Sequence, residues 1–201
     1  MMKLQLLRLK GPDIIPNLNK IGHLRLNVFR DYPYLYDGTL EDEFDYLKSY
    51  SSSETSLVVL AMDGENAVGA TTCLKLNEAD SGFRSAFQEA GLNTDSTCYL
   101  GESVLLASYR GLGIGKQFFQ YREAHARDLG CTMTAFCAVD RPKNHPLRPS
   151  DYRELDGFWQ AQGYVKHPEL KATFMWKEVQ QTEETAKTLT FWIKELNSPS
   201  L

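Results

Sequence analysis

The chain has 201 residues, of which 42% are hydrophobic and 24% are charged, which is ordinary for one globular domain with a substantial core. Its formal net charge of -4 gives no electrostatic case for nucleic acid as a partner. No apolar run approaches the ~18 residues of a membrane span, and the four cysteines form no Cys-x-x-Cys pair. We therefore predict a cytoplasmic protein with reduced thiols, no metal and no membrane partner.

The first half of the chain shows helical and strand-like periodicity in turn. Apolar residues recur every three to four positions in the helical segments and form short continuous runs in the strands. Thr39 precedes three acidic residues and fits the N-cap of a second helix. The predicted order is a strand at 3–9, helices at 14–29 and 39–50, and a hairpin of strands at 57–62 and 67–76.

The middle of the chain predicts two further strands with a long helix between them. A short inserted helix ends at Gly91, and a fourth strand follows at 98–107. A helix at 116–129 ends at Gly130 and leads to a strand at 133–139 that is apolar on both faces and therefore central. The loop after this strand carries four basic residues at the sheet edge where ligands of α/β proteins bind.

The C-terminal part predicts a fourth helix near 155–162, a strand pair at 164–165 and 172–176, and a last amphipathic helix at 182–196. We assign residues 1–178 to one domain and residues 179–201 to a C-terminal helical tail. The apolar face of that tail packs on the domain or makes a homodimer contact.

A strand, a glycine-rich turn and a helix organise the whole chain. Gly111, Gly113 and Gly115 follow the fourth strand and let the backbone approach a ligand closely. The helix then presents unpaired N–H groups and its positive dipole end, which together suit a phosphate or pyrophosphate. The alternative to a ligand site is that the glycines only form a tight turn between strand and helix. The dinucleotide and P-loop motifs fit poorly, because Lys116 replaces a required glycine of the first and Gln117 replaces the hydroxyl residue of the second.

The spacing Arg110-x-x-Gly113-x-Gly115 after a strand resembles the acyl-CoA-binding motif of the GNAT superfamily of N-acyltransferases. The order of elements resembles the fold of that family over most of the chain. The resemblance implies an α/β (α+β) fold with a mixed central sheet of about six to seven strands flanked by helices. To this we add the C-terminal helical extension predicted from periodicity.

The resemblance also implies acetyl-CoA as the co-substrate, without a metal. In that family acyl-CoA lies where the fourth and fifth strands splay apart. The pantetheine arm would then contact the backbone of Leu105, Leu106 and Ala107. The pyrophosphate would meet the N–H groups of Arg110, Gly111, Leu112, Gly113, Ile114, Gly115 and Lys116.

Glu102 is the candidate general base for an amine that attacks the thioester directly. Two-residue alternation places it on one face of the fourth strand with Leu100, Val104 and Leu106, where an unpaired carboxylate is rare. The resemblance implies a base at this position. The alternative is that Glu102 forms an ion pair with an arginine at the end of the sheet.

One position departs from the family pattern, because Trp159 stands where the family often has a tyrosine that protonates the leaving thiolate. Tyr152, Tyr164 or water could serve instead. The sequence therefore predicts an acetyl-CoA-dependent N-acetyltransferase acting on a primary amine of a small molecule or a protein. The alternative is a non-catalytic acyl-CoA-binding module.

Overall fold

The computed structural model describes residues 4–196 of the chain. These residues contain seven strands and five α-helices, joined by loops and short 3-10 turns. The strands are β1 (Leu4–Leu9), β2 (Leu57–Asp63), β3 (Asn66–Lys75), β4 (Thr97–Leu105), β5 (Met133–Val139), β6 (Val165–Lys177) and β7 (Glu184–Glu195). The helices are α1 (Leu18–Phe29), α2 (Leu40–Ser52), α3 (Ser81–Glu89), α4 (Ile114–Asp128) and α5 (Asp156–Ala161). None of these helices is both long and apolar enough to cross a membrane.

All seven strands form one mixed sheet in the order β1-β2-β3-β4-β5-β7-β6, which confirms the predicted fold class. Every neighbouring pair is antiparallel except β4 and β5, which are parallel. The parallel pair is joined by α4, as a parallel connection requires a crossover. The predicted strand–turn–helix–strand unit therefore lies at the centre of the sheet.

The sheet has a hydrophobic layer on each face. On one face α1, α2 and α3 contribute Leu24, Leu47 and Phe87 to the core. On the other face α4 contributes Phe118 and Ala126. The four cysteines are buried and unpaired between these layers, as the sequence predicted. The two faces are therefore covered by different helices, and this separates the two sides of the candidate site.

Helix α2 begins as predicted. Thr39 Oγ1 accepts a hydrogen bond from the Asp42 N–H at 3.3 Å, and the Asp42 carboxylate accepts one from the Thr39 N–H at 2.8 Å. This reciprocal capping box satisfies two backbone donors at the helix start. It fixes the direction of α2, which carries Glu43 and Tyr46 towards the sheet.

The predicted helix at 182–196 is wrong, because this segment is strand β7 and lies between β5 and β6. Its apolar residues have helical spacing, but they belong to both core layers: Leu189, Phe191 and Ile193 to one, and Trp192 to the other. Burial on both faces is typical of an inner strand. The sheet therefore includes residues on both sides of the predicted boundary at 178, and residues 184–195 of the predicted helical tail form a strand; residues 197–201 of that tail lie outside the described residues.

The predicted strand pair at 164–165 and 172–176 is also wrong, because Val165 and residues 172–176 belong to the single long strand β6, which pairs with β7, and Tyr164 precedes that strand. Pro168 lies between the two predicted segments. In the structure β6 is the outer strand of the sheet, and its register shifts between His167 and Lys171. Proline is tolerated at such an edge or bulge.

Candidate active site

Strands β4 and β5 pair only at their beginnings and then separate. Three residue pairs join them, namely Thr97 with Met133, Cys98 with Thr134 and Tyr99 with Ala135. Beyond these pairs the strands diverge, and a cleft of about 1430 Å³ is lined by residues of both. The predicted opening between the fourth and fifth strands is therefore present in the structure.

A β-bulge in β4 lies at the point where the strands separate. Thr71 of β3 pairs with Ser103, and Cys73 pairs with Leu100, so Gly101 and Glu102 together oppose the single residue between them. Thr71 Oγ1 donates to the Glu102 carbonyl oxygen at 2.7 Å. A bulge bends its strand and increases the local twist, which accounts for the divergence of β4 from β5.

The glycine-rich turn leads from β4 into α4 at one end of this cleft. Gly111 and Gly113 have φ values of 78° and 81°, which glycine adopts without strain. The first N–H bonded within the helix is that of Gln117, which donates to the Gly113 carbonyl oxygen at 3.2 Å. The N–H groups of Ile114, Gly115 and Lys116 precede it and have no helical acceptor. This end of the cleft can therefore bind an anion.

Some of the backbone donors predicted to bind CoA are already used within the protein. The Arg110 N–H donates to the Ala107 carbonyl oxygen at 3.2 Å, and the Leu106 N–H donates to the Val68 carbonyl oxygen at 3.0 Å. The Leu106 bond points towards β3, so the backbone of Leu105 points to the opposite edge, towards β5. Arg110 Nε donates to the Leu105 carbonyl oxygen at 3.2 Å. At the glycine-rich turn the available N–H groups are therefore those that follow Arg110.

Glu102 lies at the inner part of the cleft with a side chain that is 2% exposed. Its Oε2 forms an ion pair with Arg25 Nη1 at 2.9 Å and accepts a hydrogen bond from the Tyr46 hydroxyl at 3.0 Å. The ion pair with an arginine, which the sequence left open, is thus present. Within residues 4–196 the other oxygen, Oε1, is buried and has no hydrogen-bond partner. The carboxylate is therefore paired through one oxygen, while the other is an acceptor without a partner in these residues.

The predicted face of Glu102 is wrong in one respect. Leu100 belongs to the core layer under α4, whereas Val104 belongs to the layer under α1 and α2. Glu102 faces that second layer, because it contacts Arg25 of α1 and Tyr46 of α2. The bulge shifts the two-residue alternation by one position. The regular alternation assumed from sequence could not reveal this reversal.

Arg25 is shared between two carboxylates, because it also forms an ion pair with Glu43. Burial by itself would lower the pKa of Arg25, but the charges of Glu102 and Glu43 raise it above its ordinary value. Burial raises the pKa of Glu43 in spite of Arg25. One positive and two negative groups therefore meet beside the cleft, an arrangement that favours a cationic ligand when both carboxylates are ionised.

The two tyrosines considered as acids lie in different places. Tyr164 is 1% exposed, bonds with Thr134 Oγ1 at 2.9 Å and donates to Glu123 Oε1 at 3.2 Å. Tyr152 is half-buried and lines the cleft. Its ring packs edge-on against that of Tyr32, with 4.6 Å between the ring centroids. Burial raises the pKa of both phenols, so both are protonated at neutral pH. Tyr152 is the one that can reach a ligand.

The sequence interpretation missed Arg25, Tyr46 and Arg122, which all contact Glu102. Arg25 had a detectable signal, since it follows Ile21 by four positions on the apolar side of α1 and is 8% exposed. An arginine on an apolar helix face indicates a buried acidic partner. Arg122 is likewise buried four positions after Phe118 in α4, but no acidic side chain within residues 4–196 forms an ion pair with it.

A family model described as the Acetyltransferase (GNAT) family matches residues 24–149. The chain belongs to the GNAT acetyltransferase family. The match includes Arg25, Glu43, Glu102 and the glycine-rich turn. Membership in this family implies acyl transfer from acyl-CoA. The separation of β4 from β5 and the N–H groups without helical acceptors at the start of α4 are consistent with this activity. No curated protein sequence matches the chain closely enough to be counted as a relative.

Solved structures of several acetyltransferases have the same fold. An N-acetyltransferase from Staphylococcus aureus Mu50 is 12% identical with a TM-score of 0.62, covering 97% of this chain and 99% of that one. The ribosomal-protein-alanine N-acetyltransferase from Brucella melitensis is 13% identical with a TM-score of 0.60 and coverages of 94% and 99%. A proposed acetyltransferase from Salmonella typhimurium, solved with its cofactor acetyl-CoA, is 11% identical with a TM-score of 0.55 and coverages of 98% and 96%.

Proposed function

We propose that this GNAT protein transfers an acetyl group from acetyl-CoA to a primary amine by direct attack of the amine on the thioester. The observation that carries the proposal is the cleft between β4 and β5. One end holds the unpaired N–H groups of α4, and the inner part holds a buried carboxylate oxygen without a partner in residues 4–196. An anion and an ammonium group would thus be bound at the two ends of one site.

The donor is held by the backbone in this proposal. The CoA pyrophosphate contacts the N–H groups of Gly111, Leu112, Gly113, Ile114, Gly115 and Lys116. The α4 dipole favours its negative charge. The pantetheine arm follows the edge of β4 that faces β5, along Leu105. The thioester then lies near the bulge of β4, because the hydrogen-bonded pairing of β4 with β5 begins close to it.

Glu102 removes the proton from the amine in this proposal, directly or through a water molecule. A lysine-like amine has an unperturbed pKa of about 10.4 and is mostly charged at neutral pH, so it needs a base before it can attack. The ion pair with Arg25 fixes the carboxylate of this cleft-lining residue, and Oε1 has no hydrogen-bond partner within residues 4–196. The attack forms the C–N bond, the nitrogen then gives its second proton to water, and the C–S bond breaks with its electron pair on sulfur. The CoA thiolate takes a proton from water or from Tyr152, which water then reprotonates.

The release of free CoA with a panel of amines tests the function. The panel contains polyamines, amino acids, aminoglycosides and peptides with free N-termini, the last because one structural neighbour is a ribosomal-protein-alanine N-acetyltransferase. We expect at least one amine to raise the rate of CoA release well above the amine-free rate. Tight acetyl-CoA binding by calorimetry with no release across the panel would instead support the non-catalytic acyl-CoA-binding module.

Tyr152→Phe is expected to lower kcat by about 10²-fold, the lower end of the range for a positioned acid. The acceptor is the amine that the panel identifies. The phenol of Tyr152 lines the cleft and stays protonated at neutral pH, so its loss removes the proton donor for the thiolate. Tyr164→Phe is the matched control: it breaks buried hydrogen bonds and should lower the melting temperature but not kcat. A normal kcat in Tyr152→Phe would leave water as the proton source.

A further inference from the structure

Arg122 is a buried cation without an anionic partner in the described chain. It lies on α4, is 2% exposed, and lines the cleft together with Gly115, Phe118 and Phe119. Its Nη1 donates to the Glu102 carbonyl oxygen over a long 3.5 Å. Within residues 4–196 its Nε has no hydrogen-bond partner. The neighbouring Glu123 is bonded to Lys194 and Tyr164 instead.

A buried guanidinium without an anionic partner destabilises the fold and therefore requires an explanation. A buried charge is costly unless it is paired and fully hydrogen-bonded, and burial lowers the pKa of Arg122. The ring of Phe119, whose centroid is 4.7 Å from the guanidinium carbon, gives a cation–π contact and satisfies no N–H group. A ligand oxygen would complete the site.

The position of Arg122 indicates which part of a ligand it would meet. From Gly115 to Arg122 the helix rises by about 10 Å, and from Leu105 to Glu102 the strand runs for about 10 Å. The 3.5 Å contact between Arg122 Nη1 and the Glu102 carbonyl oxygen shows that these two charged residues lie at the same level of the cleft. The Glu102 carboxylate lies on the side of α1 and α2, and Arg122 lies on the side of α4.

We propose that Arg122 binds the carbonyl oxygen of the donor's acyl group and stabilises the negative charge that forms there during acyl transfer. This inference rests on the proposed function. As the amine forms the C–N bond, the π electrons of the carbonyl move to oxygen, and the guanidinium donates hydrogen bonds to that oxyanion. The carbonyl then re-forms as the electron pair of the C–S bond leaves on sulfur. Glu102 holds the proton of the amine on the opposite side.

The test measures whether binding depends on an oxygen at the acyl position. S-carboxymethyl-CoA places a negative oxygen near that position, and S-ethyl-CoA has none, so calorimetry with both isolates the contribution of the oxygen. The wild-type protein should bind S-carboxymethyl-CoA about 10-fold more tightly, the worth of a charged hydrogen bond. Arg122→Gln should lose this preference and keep its affinity for S-ethyl-CoA. It should also lose about 10²–10³ in kcat with the amine that the panel identifies, as expected for an oxyanion donor.

Arg127→Gln is the matched control, because it removes the same charge from the exposed side of the same helix, where the side chain is 44% exposed. It should keep the preference. If Arg122→Gln does not fold, Arg122→Lys replaces it, and a retained charge should preserve part of the preference.

Several results would overturn the inference. One is the absence of any preference in the wild-type protein. A second is a preference that persists in Arg122→Gln. A third is an Arg122-dependent preference for succinyl-CoA over acetyl-CoA, which would assign the guanidinium to a carboxylate on the acyl chain. Failure of the proposed function looks different, because CoA analogues would then bind with the Arg122-dependent preference while no amine releases CoA.

Discussion

Glu102→Gln is expected to lower kcat by about 10²–10⁴-fold, the usual contribution of a positioned base, while acetyl-CoA affinity stays near the wild-type value. The substitution keeps the shape of the side chain, and the amide oxygen can still contact Arg25 and accept the hydrogen bond from Tyr46. It removes the basic carboxylate from this cleft-lining residue. The loss should shrink at high pH, because more of the acceptor amine is then already neutral. Steady-state kinetics of CoA release between neutral and alkaline pH measure both effects.

Glu43→Gln is the matched control for this prediction, since Glu43 binds the same guanidinium but is not among the residues that line the cleft. We expect its effect on kcat to be much smaller than that of Glu102→Gln. Equal losses in the two variants would assign Glu102 to the ion-pair network rather than to proton transfer. Unfolding of Glu102→Gln alone would point in the same direction, because it would show a stabilising role for the pair.

Gly113→Asp is expected to weaken acetyl-CoA binding by about 10²-fold or more, since like charges in a binding site cost several kcal/mol. Gly113 is the N-cap of α4, and no heavy atom lies within 4 Å of the position that a Cβ would take. The new side chain therefore fits, and its carboxylate stands at the proposed pyrophosphate site. Calorimetric titration with acetyl-CoA measures the change in Kd.

Gly113→Asn separates charge from backbone strain. Asparagine has nearly the shape of aspartate and shares its tolerance of positive φ, so it should bind acetyl-CoA much more tightly than the Asp variant. Equal affinities of the two variants would contradict an anion site at this turn. A retained melting temperature in both would show that the loss reflects binding and not unfolding.

The fold could be predicted from sequence wherever the signal is local. The strand–turn–helix unit around Gly113 and the capped start of α2 at Thr39 depend on residues that are adjacent in the chain, and both are correct. The segment of β7 could not be assigned this way. Its residues Leu189, Trp192 and Ile193 fit helical spacing and also an inner strand that is buried on both faces, and periodicity alone does not distinguish these cases.

The candidate site was predictable in part for the same reason. The glycine-rich turn and Glu102 belong to one continuous stretch of sequence, so the motif revealed them together. The groups that surround Glu102 come from α1, α2 and α4, and their meeting depends on how these helices pack on the sheet. The bulge depends on the register between β3 and β4, which no local pattern specifies.

The place of β7 in the sheet has a consequence for the order of assembly. β7 pairs with β5 on one side and with β6 on the other, and β6 has no other neighbour in the sheet. Until residues 184–195 leave the ribosome, β5 therefore presents an unpaired edge and β6 has no strand to join. Pairings between distant segments form slowly, and open edges invite association with other chains. The nascent chain thus depends on its last strand to close the sheet beside the cleft.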